Sequence, residues 1–215
     1  TVQVRAGVDI DMFEEGRRME RLAINFANRY LEAVDLYRAG KKPSGCWDLA
    51  FQAADKWRPL IIQHLLLGIN AHINLDLGIA ASQTAPGDDL EALGEDFVAI
   101  NDLLALQVAK VRADIGEMSP WLGLLDRVDP TAGKAVINFS IARARDQAWT
   151  SAELLTCVAD ERKPQRIEVF DRNAMALARL VLDPPGWILK FGLRVIRLRE
   201  MKNVRRVIEK LEASS

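Results

Sequence analysis

His72 and Asp76 stand four residues apart on a stretch that is otherwise almost wholly apolar, LIIQHLLLGINAHINLDLGIAA over residues 60–81. At about 100° per residue an α-helix brings them to one face. A carboxylate there can bond one ring nitrogen, choose the tautomer and raise the basicity of the other nitrogen. The chemistry that follows is general-base catalysis, with His72 as the base and Asp76 as its orienter. Alternatively both side chains reach a single divalent metal ion, with His72 and Asp76 as two of its ligands. His64 lies about 12 Å along the axis from His72, too far to share that ion. It is a candidate for positioning substrate.

A second polar stripe runs along the opposite side of the same helix. Gln63, Asn70 and Asn74 fall within about 40° of one another. Asn70 and Asn74 are candidate binding residues, but bonds to neighbouring backbone would satisfy them equally well. An unsatisfied buried polar group costs on the order of 1–3 kcal/mol, so each needs a partner. Gly68 leaves room beside His64 or admits a close helix.

The other segments must bring the remaining groups to this helix. Asn101 lies at the edge of an apolar stripe formed by Leu90, Leu93, Phe97, Ile100, Leu104 and Val108. Asp96 and Asp102 point away from that stripe, toward solvent. Arg145 and Trp149 sit one turn apart, where a guanidinium can lie on an indole. Arg145 is also a candidate anion anchor or counter-charge to Asp76. Arg21, Asn25, Asn28 and Arg29 lie beside the core face of the first segment. They are either solvated or, if that helix is clamped on two sides, lining the same cavity. Trp47 and Trp57 read as packing residues.

The helical period dominates the whole chain, and no alternating strand pattern is flanked by turn chemistry. Helical segments are expected at about 10–39, 46–56, 59–82, 88–117, 129–162, 166–182 and 187–213, with a short piece near 119–126. The first carries Met19, Leu22, Ala23, Phe26, Tyr30, Leu31 and Val34 on one face and stops at Gly40. Pro59, Pro86-Gly87, Pro130, Pro164 and Pro184-Pro185-Gly186 punctuate the rest. The fold class expected is all-α: a single-domain bundle, 1–215, of about seven helices around a buried central helix. That central helix is long enough to span a bilayer. Its six polar side chains would be costly in lipid, so the core of a bundle is the better reading.

Composition narrows the function without naming it. The chain has 215 residues, 49% hydrophobic and 27% charged, with two histidines and two cysteines. That is ordinary globular composition. Cys46 and Cys157 cannot build a disulfide framework or a cysteine zinc site, and neither sits beside a basic group that would mark a nucleophile. No dinucleotide, P-loop, zincin or nucleophile-elbow motif occurs. Net charge is −1, but residues 1–130 carry −7 and residues 131–215 carry +6. That basic excess is mild, so no nucleic-acid partner is expected. Residues 187–213 hold eight Lys and Arg against three Glu, with Trp187, Ile188, Phe191, Val195 and Leu198 on one face. Such a helix docks on its own bundle, or lies on an anionic membrane surface or on a partner. The sparse cysteines suggest the cytoplasm. The chain starts at Thr1 rather than Met, which carries the expectation of a removed N-terminal stretch.

The segments FANRYLEA (26–33), HLLLGINAHINLDLGIAA (64–81), DFVAIN (96–101) and RDQAW (145–149) resemble a bacterial family catalogued only as a domain of unknown function. The resemblance extends to about residue 160 and implies no activity. The His72–Asp76 pattern is also similar to one motif of the all-helical zinc-dependent phospholipase C and P1 nuclease family. That family uses further histidines for a trinuclear zinc cluster, which two histidines cannot provide. At most this likeness implies one metal, completed by oxygen ligands.

Three functions fit these residues. One is a small-molecule enzyme of hydrolase or lyase type, with His72 and Asp76 at the reacting atoms. Arg145 would then anchor an anionic group, with His64 and Asn101 holding substrate. Another is a non-catalytic binding protein for an apolar or lipid-like ligand. The third is a structural or interaction protein whose buried polar groups satisfy only each other. The first two require a small-molecule ligand.

Overall fold

Ile61–Thr84, here α3, is the helix around which the others pack, and most of its length is inside the bundle. The structure, a computed structural model, describes residues 13–99 and 141–199. Among these residues there are helices and no strands. Before α3 come α1 (Gly16–Arg38) and α2 (Gly45–Ala54). After it come α4, described over 89–99, and α5 (Ile141–Thr156). A single 3-10 turn, Asp160–Arg162, leads into α6 (Lys163–Leu182), and α7 (Trp187–Arg199) follows. The expected all-α bundle around a buried central helix is what forms. Asn101, Asp102, Ile100, Leu104 and Val108 lie outside the described residues, as does the short piece near 119–126.

The apolar periodicity dictates which faces meet. Met19 and Leu22 of α1 pack with Leu77, Ala80 and Ala81 of α3, Leu90, Leu93 and Phe97 of α4, and Ala148 and Ala152 of α5. A second cluster joins Cys46 and Trp47 of α2 with Ala71, Leu75 and Ile79 of α3, Leu155 of α5 and Ala174 of α6. The apolar face expected for α1 is too wide, since Tyr30 and Leu31 are exposed while Ala33 is buried. The chain leaves α1 through Gly40, whose φ of 69° is a conformation that side chains disfavour.

Carboxylates from distant helices cap two of the N-termini. Asp171 of α6 accepts from the backbone N–H groups of Gly45 (2.6 Å) and Cys46 (2.9 Å) at the start of α2. Those donors have no intrahelical partner, and the negative charge also suits the helix dipole. Asp96 of α4 accepts from the N–H groups of Glu14 (2.6 Å) and Glu15 (3.2 Å) just before α1 and pairs with Arg18 at 3.3 Å. The solvated position expected for Asp96 is therefore overturned, because it is fully buried. Helical period places a side chain on a face, but it does not reveal that a neighbouring helix end needs an acceptor there.

The Gln63, Asn70 and Asn74 stripe is the seam between α3 and α6. The Gln63 amide donates to the Val181 carbonyl (2.6 Å) and its oxygen accepts the Leu60 N–H (2.9 Å). Asn70 donates to the Ala174 carbonyl (2.8 Å), and Asn74 donates to the Asn70 side-chain oxygen (2.9 Å). The Gln63 and Asn70 bonds tie α3 to the α6 backbone, and the Asn74 bond stays within α3.

Candidate functional site

Within α3 the backbone departs from the α form. Residues His72–Leu77 make a π-helical turn, flanked on both sides by regular helix. Such widened turns are rare and are frequently found at functional sites. This one begins at His72 and contains Asp76, the pair singled out by spacing.

Asp76 is 1% exposed, yet it is ringed with donors. Arg29 Nε of α1 lies 3.2 Å from its Oδ1. The Trp47 indole N–H of α2 donates to its Oδ2 at 2.8 Å. His72 Nδ1 lies 3.4 Å from the same Oδ2. Three helices thus hold one carboxylate, and the buried charge has an opposite charge beside it. Arg29, not Arg145, supplies that counter-charge. Of the four polar residues weighed on α1, Arg29 and Asn25 face inward, Asn25 donating to Thr84 Oγ1 at 2.9 Å. Arg21 and Asn28 are exposed.

The His72 ring reaches solvent, with 29% of the side chain exposed. Phe26 stacks on it, centroids 3.6 Å apart and planes within 10°. Tyr30 presents an edge at 6.2 Å and Trp47 lies tilted at 6.0 Å. Trp47 is therefore more than packing, since it both walls the imidazole and fixes its carboxylate. A proton on Nδ1, the nitrogen that faces Asp76, leaves Nε2 as the acceptor. The 3.4 Å separation is at the long end of hydrogen bonding. Catalytic contacts are often this loose before substrate arrives.

The same partners argue against the metal. Both oxygens of Asp76 already accept hydrogen bonds, one from a guanidinium whose positive charge opposes a second cation. Among the described residues no three His, Cys, Asp or Glu side chains converge as a ligand set. The described residues by themselves do not make a ligand set for a divalent ion at His72 and Asp76.

The remaining candidates are placed elsewhere. Trp149 packs on Phe97, centroids 5.0 Å apart, and against Gly94. Arg145 is buried on α5, where burial holds its guanidinium below the usual range. A Cβ on Gly68 would meet nothing within 4 Å, so that glycine leaves space rather than admitting a close helix. His64 is half-buried near Arg197. Burial, and then the Arg197 charge, lower its pKa from 6.5. The unfolded chain therefore takes up this proton first. Stability from the neutral ring is present above pH 6.5 and is lost as pH falls through the lower folded value. In His64→Gln the fall in the urea midpoint between about pH 7 and 5 should be smaller than in the parent.

Spacing alone did not show Arg29, Phe26, Tyr30 or Trp47 as neighbours of His72. The one available signal was the placement of Arg29 beside the core face of α1, since a charge there needs a buried partner.

The sequence model described as "Family of unknown function (DUF5995)" matches residues 1–184. The chain belongs to this family. The match reaches beyond the residue near 160 at which the visible resemblance ends, and takes in all of α6. It includes every residue of the His72–Asp76 site, whereas α7 lies past its end. No curated protein and no solved structure matches the chain.

Proposed function

We propose that the protein is a small-molecule enzyme of hydrolase or lyase type in which His72 is the general base. The observation that carries this reading is the His72–Asp76 pair at the start of a π-helical turn, with Asp76 buried and His72 open to solvent. Asp76 directs Nδ1–H, and Arg29 and Trp47 keep the carboxylate from turning away. Nε2 then takes a proton from water attacking an acyl or phosphoryl centre, or from a carbon acid, and returns it to the leaving group. The half-buried Phe26 and the exposed Tyr30 offer apolar surface beside the imidazole for the rest of the substrate. No metal takes part in this reading.

Positioned acid–base groups contribute typically about 100- to 10,000-fold to a rate. p-Nitrophenyl acetate is a suitable first probe because imidazole cleaves it and a bound site makes the reaction saturable. The parent protein should show saturation, and His72→Gln should lose at least about 100-fold in kcat/KM with its melting temperature retained. Equal, unsaturable rates in the two proteins, across this and a phosphoester probe, would sink the reading. A second reading is favoured by the full set of partners around Asp76: the cluster is a structural tie between α1, α2 and α3. That reading expects His72→Gln to change neither rate nor ligand binding.

A further inference from the structure

The α7 helix is amphipathic, but it docks by a face that excludes three of its large apolar side chains. Leu193 and Ile196 are buried against the bundle, and Arg197 Nε donates to the Trp57 carbonyl. On the opposite side Trp187 is 78% exposed, and Phe191 and Leu198 are exposed with it. At about 100° per residue these three lie within about 40° of each other, with Arg194 among them. Of the expected shared face, Trp187, Phe191 and Leu198 point outward, whereas Val195 is half-buried. Trp57 stands at the edge of the same surface, 60% exposed, with Arg197 5.9 Å from its ring and Lys56 and Arg58 exposed on either side. It is a surface aromatic, not the packing residue expected.

The charge on this surface is predominantly basic, with Lys56, Arg58 and Arg194 exposed and Asp55 and Asp183 at its margin. WILKFGLRVIRLR carries four basic residues and no acidic one, and Lys190 among them pairs with Asp183 at 2.7 Å. The whole helix also lies beyond the residues that match the family, after Pro184-Pro185-Gly186.

We infer that α7 and the Lys56-Trp57-Arg58 corner form a surface that lies on an anionic lipid bilayer. Tryptophan and phenylalanine favour the headgroup boundary, where the ring is buried and its edge stays wet. Arg194 has a long apolar stem that lets the stripe sink while its charge reaches lipid phosphates, whereas Lys190 is held by Asp183. A nucleic acid would satisfy the charges but would offer the Trp187–Phe191–Leu198 stripe nothing to bury it.

The test is sedimentation of the full chain with vesicles of phosphatidylcholine and phosphatidylglycerol in a two-to-one ratio, beside vesicles of phosphatidylcholine alone. Binding is expected only to the anionic vesicles, and it should be largely lost in about 1 M salt, where charges are screened beyond about 3 Å. Trp187→Ser/Phe191→Ser should weaken the partition about tenfold or more, and Arg194→Glu by a comparable factor. Both changes are on the exposed face, so an unchanged melting temperature separates lost binding from lost folding. Three results would overturn the inference. One is no sedimentation of the parent with anionic vesicles. Another is binding that survives both variants. The third is parent dimerisation in analytical ultracentrifugation that Trp187→Ser/Phe191→Ser abolishes, which would assign the stripe to a second copy of the chain.

Discussion

Asp76→Ala should lower the unfolding free energy by about 3–5 kcal/mol, the usual cost of stranding one member of a buried charge pair. The change leaves the Trp47 indole N–H buried without its acceptor, which by itself costs about 1–3 kcal/mol. It also leaves the Arg29 guanidinium without its carboxylate. Arg29 retains some contact with water, which places the expected loss toward the lower end of that range. Asp76→Asn keeps an oxygen for Trp47 but loses the charge, so its cost should fall between that of alanine and the parent. Urea unfolding followed by tryptophan fluorescence and by circular dichroism reads both. An Arg29→Met variant completes a double-mutant cycle, in which the combined loss should be clearly smaller than the sum of the two single losses. Asp76→Ala within about 0.5 kcal/mol of the parent would mean that the three-helix tie does not exist.

The second large effect is expected two residues further along α3. A Cβ on Gly78 would lie 2.6 Å from the Ala148 carbonyl oxygen and 2.9 Å from the Ser151 Cβ of α5. The obstacle is backbone in a helix, not the movable end of a long side chain, so α3 and α5 must separate. Overpacking of this kind costs about 1–3 kcal/mol and sometimes more. Gly78→Ala should therefore be destabilising by at least about 2 kcal/mol, even though alanine is the better helix former by nearly 1 kcal/mol. Gly68→Ala is the internal control. It has open space at its Cβ, so propensity alone acts and the protein should become more stable. Opposite signs for two glycine-to-alanine changes ten positions apart in one helix, measured by urea midpoint, would confirm that α5 sits directly on Gly78. Equal signs would contradict the packing.

Helix existence was largely legible in the sequence, and helix ends were less so. Proline and glycine mark where segments stop because they act locally, through a missing N–H or a positive φ. The start of α6 shows the limit. Pro164 reads as a breaker, yet it occupies the first turn of a helix that begins at Lys163, where its missing N–H costs nothing. The π-helical turn at His72–Leu77 had no sequence signal, because nothing in the composition of HINLDL distinguishes a wide turn from a regular one.

The candidate site divides in the same way. The pairing of His72 with Asp76 follows from four residues of spacing along one helix, and so does the Asn70–Asn74 bond. Their surroundings do not follow, because Arg29, Trp47 and Phe26 come from other helices whose rotation and height are set by packing. The same holds for Asp96 and Asp171, which serve the ends of helices more than 80 residues away in sequence.

By itself, then, the sequence determined the all-α class, the buried central helix, the His72–Asp76 pair and the basic character of the last helix. Each of these is a matter of period, propensity or charge count along a few neighbouring residues. Only the tertiary structure decided that Arg29 and Trp47 hold Asp76, that the imidazole lies stacked on Phe26 and open to water, and that the aromatic face of α7 points outward. Those outcomes depend on which faces of several helices can be buried together at once, and the close crossing at Gly78 and the amide seam along α6 settle that choice.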